Sequence, residues 1–178
     1  LTVLQLICVN NSAMGTKAQH NHPANADEAG ALLNLAQGFR AAAARTRPGR
    51  GSTLVRAPFE LLCLHSVDLA LSAALHASDF DAPTVRAMGN DVSRRARALQ
   101  IHRIGWGRHT LATIEALTRN RQRQGGTLAA AGEEQVALAR IEAMVDDAIE
   151  KCARFVESCK LAQATNGPAV QSRFARRA

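Results

Sequence analysis

The sequence predicts an all-α protein, an antiparallel bundle of about four to five helices. Three observations carry that expectation. The chain is 47% hydrophobic yet only 3% aromatic, with no tyrosine, so its core must rest on alanine and leucine, which favour close-packed helices over sheets. Apolar residues recur at spacings of three and four through several long runs, the period of one helix face. Stretches rich in proline and glycine separate those runs and punctuate them as turns. At 178 residues one domain is the default, burying roughly 70% of the unfolded chain's surface.

Each element follows in order. Asn25 or Asp27 caps a first helix, and ADEAGALLNLAQGFRAAAAR keeps the helical period over roughly 27–46 until Pro48 stops it. After the loop TRPGRGSTLVRA, Pro58 suits the first turn of a second helix, FELLCLHSVDLALSAALHA, from Phe59 to Ala77. SDFDAP breaks the chain, a short helical piece reaches Gly89, and Asn90 caps a third helix to about Ile104. GWG is the next break, and His109 to about Gln124 forms a fourth helix. Gly125 and Gly126 make a turn, and Glu133 to about Ala164 forms a long fifth helix, with Glu133 and Glu134 near its start and Lys160 near its end matching the helix dipole.

The flanks read differently. The chain opens on Leu1 and reaches a methionine only at Met14, so residues 1–13 read as an upstream extension and 1–25 as a disordered arm. Residues 26–165 form one helical domain, and 166–178 a flexible basic tail. No uninterrupted apolar run approaches the ~18 residues that a bilayer requires, which predicts no membrane association. LTVLQLICV lacks the basic flank and cleavage site of a secretory signal. Cys8, Cys63, Cys152 and Cys159 show neither C-x-x-C spacing nor the density of a disulfide scaffold, which predicts a reducing, cytoplasmic location.

Charge is concentrated. Residues 86–123 carry nine arginines against two acidic residues, an excess equal to the net charge of +7 for the whole chain. Clustered arginine is the footprint of phosphate recognition, and Arg94, Arg95, Arg97, Arg103 and Arg108 are the candidate nucleic-acid contacts. Trp106 is the one aromatic in that segment, so a stacking platform for single-stranded bases lacks support.

The second helix carries a polar stripe in an otherwise apolar surface. At about 100° per residue, Asp68, Ser72 and His76 lie within about 60° of His65 around its axis. The rest of the circumference, including Leu62, Leu69, Ala70 and Ala73, is apolar, which places this helix centrally. A carboxylate there needs a partner. His65 is the nearest, and an arginine from the first or third helix the next.

The stretch FELLCLHSVDLALSAAL, followed by VRAMGNDVSRRARAL, resembles the small HEPN-type helical proteins of prokaryotes, in which an apolar helix with a His leads into ELALKA and then a GHDL segment opens the next helix. Here Asp68 stands at the Glu position, Ser72 at the Lys position, and Gly89, Asn90, Asp91 and Val92 at GHDL. AQGFRAAAAR resembles the family's first helix, and the similarity covers roughly residues 30–120. Ser72 removes an i,i+4 ion pair and Asn90 removes an acid or base, so the resemblance implies a structural stripe of His65, Asp68, Ser72, His76 and Asn90.

The resemblance also implies a test for nuclease activity, because many HEPN proteins are metal-independent ribonucleases marked by an Arg and, four to six residues on, a His. There the His moves the proton and the Arg steadies the crowded phosphorus. Arg97 with His102, and Arg103 with His109, have that spacing. Neither Arg is followed by a polar residue, and both pairs sit too early in the chain for the family's pattern, so the reading leans toward a non-enzyme; an activity, if present, would be that of an endoribonuclease.

Other constellations are weaker. His20 and His22 are too few for a metal site, there is no phosphate loop or nucleophile elbow, and Glu142, Asp146 and Asp147 lack the Glu-x-x-His of a metal-binding bundle. No cofactor or metal is implied. Two functions remain: an RNA-associated module of the defence or toxin–antitoxin kind, and a non-catalytic interaction protein pairing with a partner such as a nucleotidyltransferase. Apolar helices in excess of what one small bundle hides predict a homodimer.

Overall fold

The computed structural model describes residues 22–49, 56–78, 80, 82–102, 104–124 and 137–165. Within them the chain forms six helices and no strand: α1 (His22–Thr46), α2 (Ala57–Ala77), α3 (Ala82–Met88), α4 (Val92–Ile101), α5 (Thr110–Gln124) and α6 (Leu138–Thr165). The helical bundle expected from composition is therefore the architecture. Its count rises to six because the short piece before Gly89 stands as a helix of its own. Residues 1–21 of the N-terminal arm, the tail from 166 to 178, the turn at Gly125 and Gly126, Glu133 and Glu134, Cys8, His20, the side chain of His22 and Arg103 lie outside the described residues, whereas 22–25, read from sequence as part of the arm, open α1.

Small residues set the packing of α1 on α2. Ala29, Ala36 and Ala43 are fully buried at intervals of seven, giving α1 a narrow stripe that a neighbouring helix can approach closely. The backbones come so near that Ser66 Oγ donates a 2.7 Å hydrogen bond to the carbonyl of Ala36. Glu28 meets His76, Ala36 meets Ser66 and Phe39 meets His65, so the two helices form an antiparallel hairpin. α6 runs antiparallel to α1 through Arg40–Asp146 and Arg47–Glu142. It runs antiparallel to α5 through Thr110–Asp147 and Thr113–Arg140.

α2 is the central element, touching α1, α4, α5 and α6. An 18-residue window of it reaches a mean hydropathy of 1.3, long and apolar enough by length and composition to cross a membrane. The lengths of uninterrupted apolar runs do not reveal this, because His65, Asp68 and Ser72 divide the helix. Of that window, 56% is buried inside the bundle, and contact with four helices gives its apolar side chains a protein environment.

Helix ends correct the sequence expectations by small shifts. α2 starts with Pro58 in its first turn and stops at Ser78, whose Oγ donates to Leu75 O. Gly89 follows α3 with φ of 54°, a left-handed conformation that glycine adopts without a Cβ penalty. The cap of α4 is Asp91 rather than Asn90: Asp91 has extended backbone, and its carboxylate accepts from Arg94 N–H at 3.0 Å. α4 ends at Ile101 with His102 as its C-cap, and α5 begins one residue after His109.

The connection from α4 to α5 is pinned at three points. Ile104 is buried and its N–H bonds Leu99 O, Trp106 donates its indole N–H to Ala96 O at 2.9 Å, and Gly107 N–H donates to Asp147 at 2.9 Å. A Cβ at Gly107 would lie 2.9 Å from Thr110 Oγ1 and 3.0 Å from Asp147 Oδ2, so a side chain here would have to push these two groups aside. Thr110 and Lys151 also bond Asp147. Burial pushes the Asp147 carboxyl up, but the bonds from Thr110, Lys151 and Gly107, with the Lys151 charge, outweigh it and hold the group below its ordinary value.

Candidate functional site

α4 and α5 enclose a groove of about 410 Å³, lined by Asp91, Ser93, Arg94, Arg97, Glu115, Thr118, Arg119 and Gln122. Helical periodicity explains why these residues meet. Ser93, Arg94 and Arg97 are related by i,i+3 and i,i+4 steps, as are Glu115, Thr118, Arg119 and Gln122, so each set shares a face. The buried set of α5, Thr110, Thr113, Ile114, Leu117 and Thr118, has the same spacing and turns toward the core, with Thr118 at the border of the groove. One helix thus presents a packed face and a groove face.

Within the groove, Arg97 donates from Nε and from an Nη to the same Glu115 oxygen, at 2.9 and 2.7 Å. Its side chain is 64% exposed. Arg94 is exposed and donates to Ala87 O at 2.9 Å. Arg119 is exposed, with its Nε 3.4 Å from Glu115 O. Three arginines, two acidic residues and three neutral polar residues line one concavity that contains no aromatic side chain.

The five arginines singled out from sequence separate. Arg94 and Arg97 line the groove. Arg95, about 200° around α4 from Arg97, points inward: it donates to Asp68 Oδ1 at 2.6 Å, to Ser72 Oγ at 3.0 Å and to Gly89 O. Its side chain is only 14% exposed. Arg108 is exposed in the turn before α5, outside the groove lining. Arg103 lies outside the described residues.

The stripe on α2 has a structural explanation in the same network. Arg95, rather than the nearer His65, is the partner of Asp68. The arginine from α4 supplies the positive charge beside Asp68, and Ser72 accepts its hydrogen bond while donating to Asp68 O. His65 packs its ring 5.3 Å from that of Phe39 on α1. His76 lies 3.6 Å from Glu28. Asn90 is exposed in the turn and takes no part in the seam. Gly89, Asp91 and Val92 divide the work of that turn: a left-handed residue, a helix cap and a buried plug.

The histidines stand apart from the basic groove. Arg97 turns to Glu115, whereas His102 sits at the end of α4 with its ring 4.3 Å from Phe80. His109 is exposed just before α5, about 9 Å along the helix axis from Glu115. Neither histidine lines the groove with the arginines. Cys63 and Cys152 are buried, and burial pushes both thiols up to about 12, which removes them as nucleophiles at neutral pH. Among the described residues no group of three His, Cys, Asp or Glu is placed to hold a metal ion.

Sequence reasoning missed Glu115 and Arg119 as groove residues and weighed Asp147 only as a metal-site carboxylate, not as the anchor of Gly107 and Thr110. The i,i+4 relation of Glu115 to Arg119 was visible, but only the packing of α4 against α5 shows which arginines face them. A second concavity, of about 530 Å³, is apolar and lies between the start of α2 and the end of α5, with Leu61, Leu64 and Leu117 in its wall. Comparisons with protein-family models, with curated proteins and with solved structures return no match.

Proposed function

We propose that this chain is a HEPN-like helical module that binds RNA by its phosphates, in a defence or toxin–antitoxin setting, without cutting the strand. The observation that carries the reading is the presence of Arg94, Arg97 and Arg119 in the lining of one groove. Arginine forks match the oxygens of a phosphodiester, and a lining free of aromatics supports backbone binding over base stacking. Absence of a histidine from that lining supports binding over proton-transfer chemistry.

A gel-shift series with labelled single-stranded RNA at rising salt tests the reading. Three phosphate contacts correspond to a log–log slope near −2, at about 0.7 per contact. No shift even at low salt overturns it. A parallel incubation in EDTA, comparing the wild type with His102→Ala and His109→Ala, tests for cleavage; loss of cleavage in one variant would replace binding by catalysis as the function.

A second reading, a non-catalytic protein that pairs with itself or with a partner polypeptide, draws on the apolar concavity and on Leu61, which is 43% exposed at its wall. Such an apolar interface would be nearly indifferent to salt, whereas phosphate binding weakens steeply. The same salt series therefore separates the two.

A further inference from the structure

The groove holds its own competitor. Arg97 presents to Glu115 the edge of the guanidinium formed by Nε and one Nη, and both N–H groups meet a single carboxylate oxygen. That edge is the fork with which arginine grips a phosphate. Resting on the reading of the groove as an RNA phosphate site, we infer that Glu115 occupies the phosphate seat of Arg97 and lowers the affinity of the groove until RNA displaces it.

Three features make Glu115 suited to this. It is one of two acidic residues in the lining, and the other, Asp91, is committed to capping α4 through Arg94 N–H. It is held on α5 within the groove face, with Thr118 and Arg119 one turn further on, so it stays beside an arriving phosphate after Arg97 turns away. The pair is also exposed on its arginine side, at 64%. Exposed pairs are weak, so the contact opens readily: it attenuates binding without closing the site. The inner pair, Arg95 with Asp68, offers no such access.

The test is a double-mutant cycle on RNA affinity, read by fluorescence anisotropy of a labelled mixed-sequence RNA at low salt. The variants are Glu115→Gln, Arg97→Ala and the double variant. Glu150→Gln is the control for net charge, since Glu150 pairs with Arg154 on α6 and lies outside this groove. Glu115→Gln is expected to tighten binding by about fivefold, roughly the worth of an exposed ion pair. Glu150→Gln should have much less effect. In the Arg97→Ala background the gain from Glu115→Gln should disappear.

Equal gains from Glu115→Gln and Glu150→Gln, or an undiminished gain without Arg97, would overturn the inference while leaving RNA binding intact. Failure of the wild type and of every variant to bind would overturn the RNA reading and the inference with it. An independent readout needs no variant: the Arg97 Nε–H resonance of the wild type should move as RNA is added. If it stays fixed at saturation, Glu115 is not displaced.

Discussion

Arg95 and Arg97 are two residues apart on α4, each paired with a carboxylate from another helix, and they have opposite fates. Arg95 meets Asp68 with 14% of its side chain exposed, whereas Arg97 meets Glu115 with 64% exposed. A step of two residues rotates the side chain by about 200°, from the packed side of α4 to the groove. The two carboxylates are equally exposed, at 26%, so the arginines make the difference: the inner one bonds Asp68, Ser72 and the carbonyl of Gly89. The outer one bonds Glu115 with most of its own side chain in water. The same chemical pair therefore acts as a structural tie in one place and as an openable contact in the other, and the burial of the arginine and the number of its partners decide which.

The largest expected effect breaks the inner pair. Arg95→Leu should cost about 3 kcal/mol, since it removes a shielded arginine that ties Asp68, Ser72 and Gly89 together, whereas Arg97→Leu removes an arginine that is mostly in water and should cost less than about 1 kcal/mol. Urea denaturation of the two variants checks this, and equal losses would erase the distinction. Gly107→Ala should come next, at about 2 kcal/mol, because the new methyl must displace Thr110 and Asp147 side chains that bond one another. Thermal melting reads it, and an unchanged midpoint would show that the Asp147 contact yields freely.

Asp147 extends the inner class and gives it a pH signature. Its folded-state carboxyl is held below its ordinary 3.8, so the unfolded chain binds the proton first as pH falls. Its contribution is full above 3.8 and is lost as pH drops through the depressed value. Asp147→Asn should flatten that acid limb of the stability curve, and an unaltered limb would assign acid unfolding to other carboxylates. A smaller effect sharpens the outer class: Arg119→Ala should leave stability within about 0.5 kcal/mol and make the salt slope of RNA binding shallower by about 0.7. The gel-shift series measures the slope directly.

Much of the fold was legible in the sequence because it follows from local rules. The breaks at Pro48, SDFDAP and GWG, and the period of ALLNLAQGF and VALARIEAMV, place helices to within a few residues of those observed. The polar stripe on α2 was legible as a stripe for the same reason: residues 65, 68, 72 and 76 share a helix face whatever surrounds it. Its partners were not. His65 was nearest in sequence to Asp68, yet Arg95 reaches it across 27 positions of chain. Local spacing orders side chains around one axis but contains nothing about which axis packs alongside.

The basic groove shows the same boundary. Composition alone concentrated nine arginines between residues 86 and 123, and that excess is independent of how the helices pack. Packing of α4 on α5 then sorted them, turning Arg95 into the core, setting Arg94, Arg97 and Arg119 around one concavity and placing His102 against Phe80. Asp147 found Gly107 across 40 positions by the same means. Helical periodicity, capping and charge density are properties of neighbouring residues, so the sequence by itself determined them. Partner, burial and accessibility are properties of pairs of helices, and only their tertiary packing decided those.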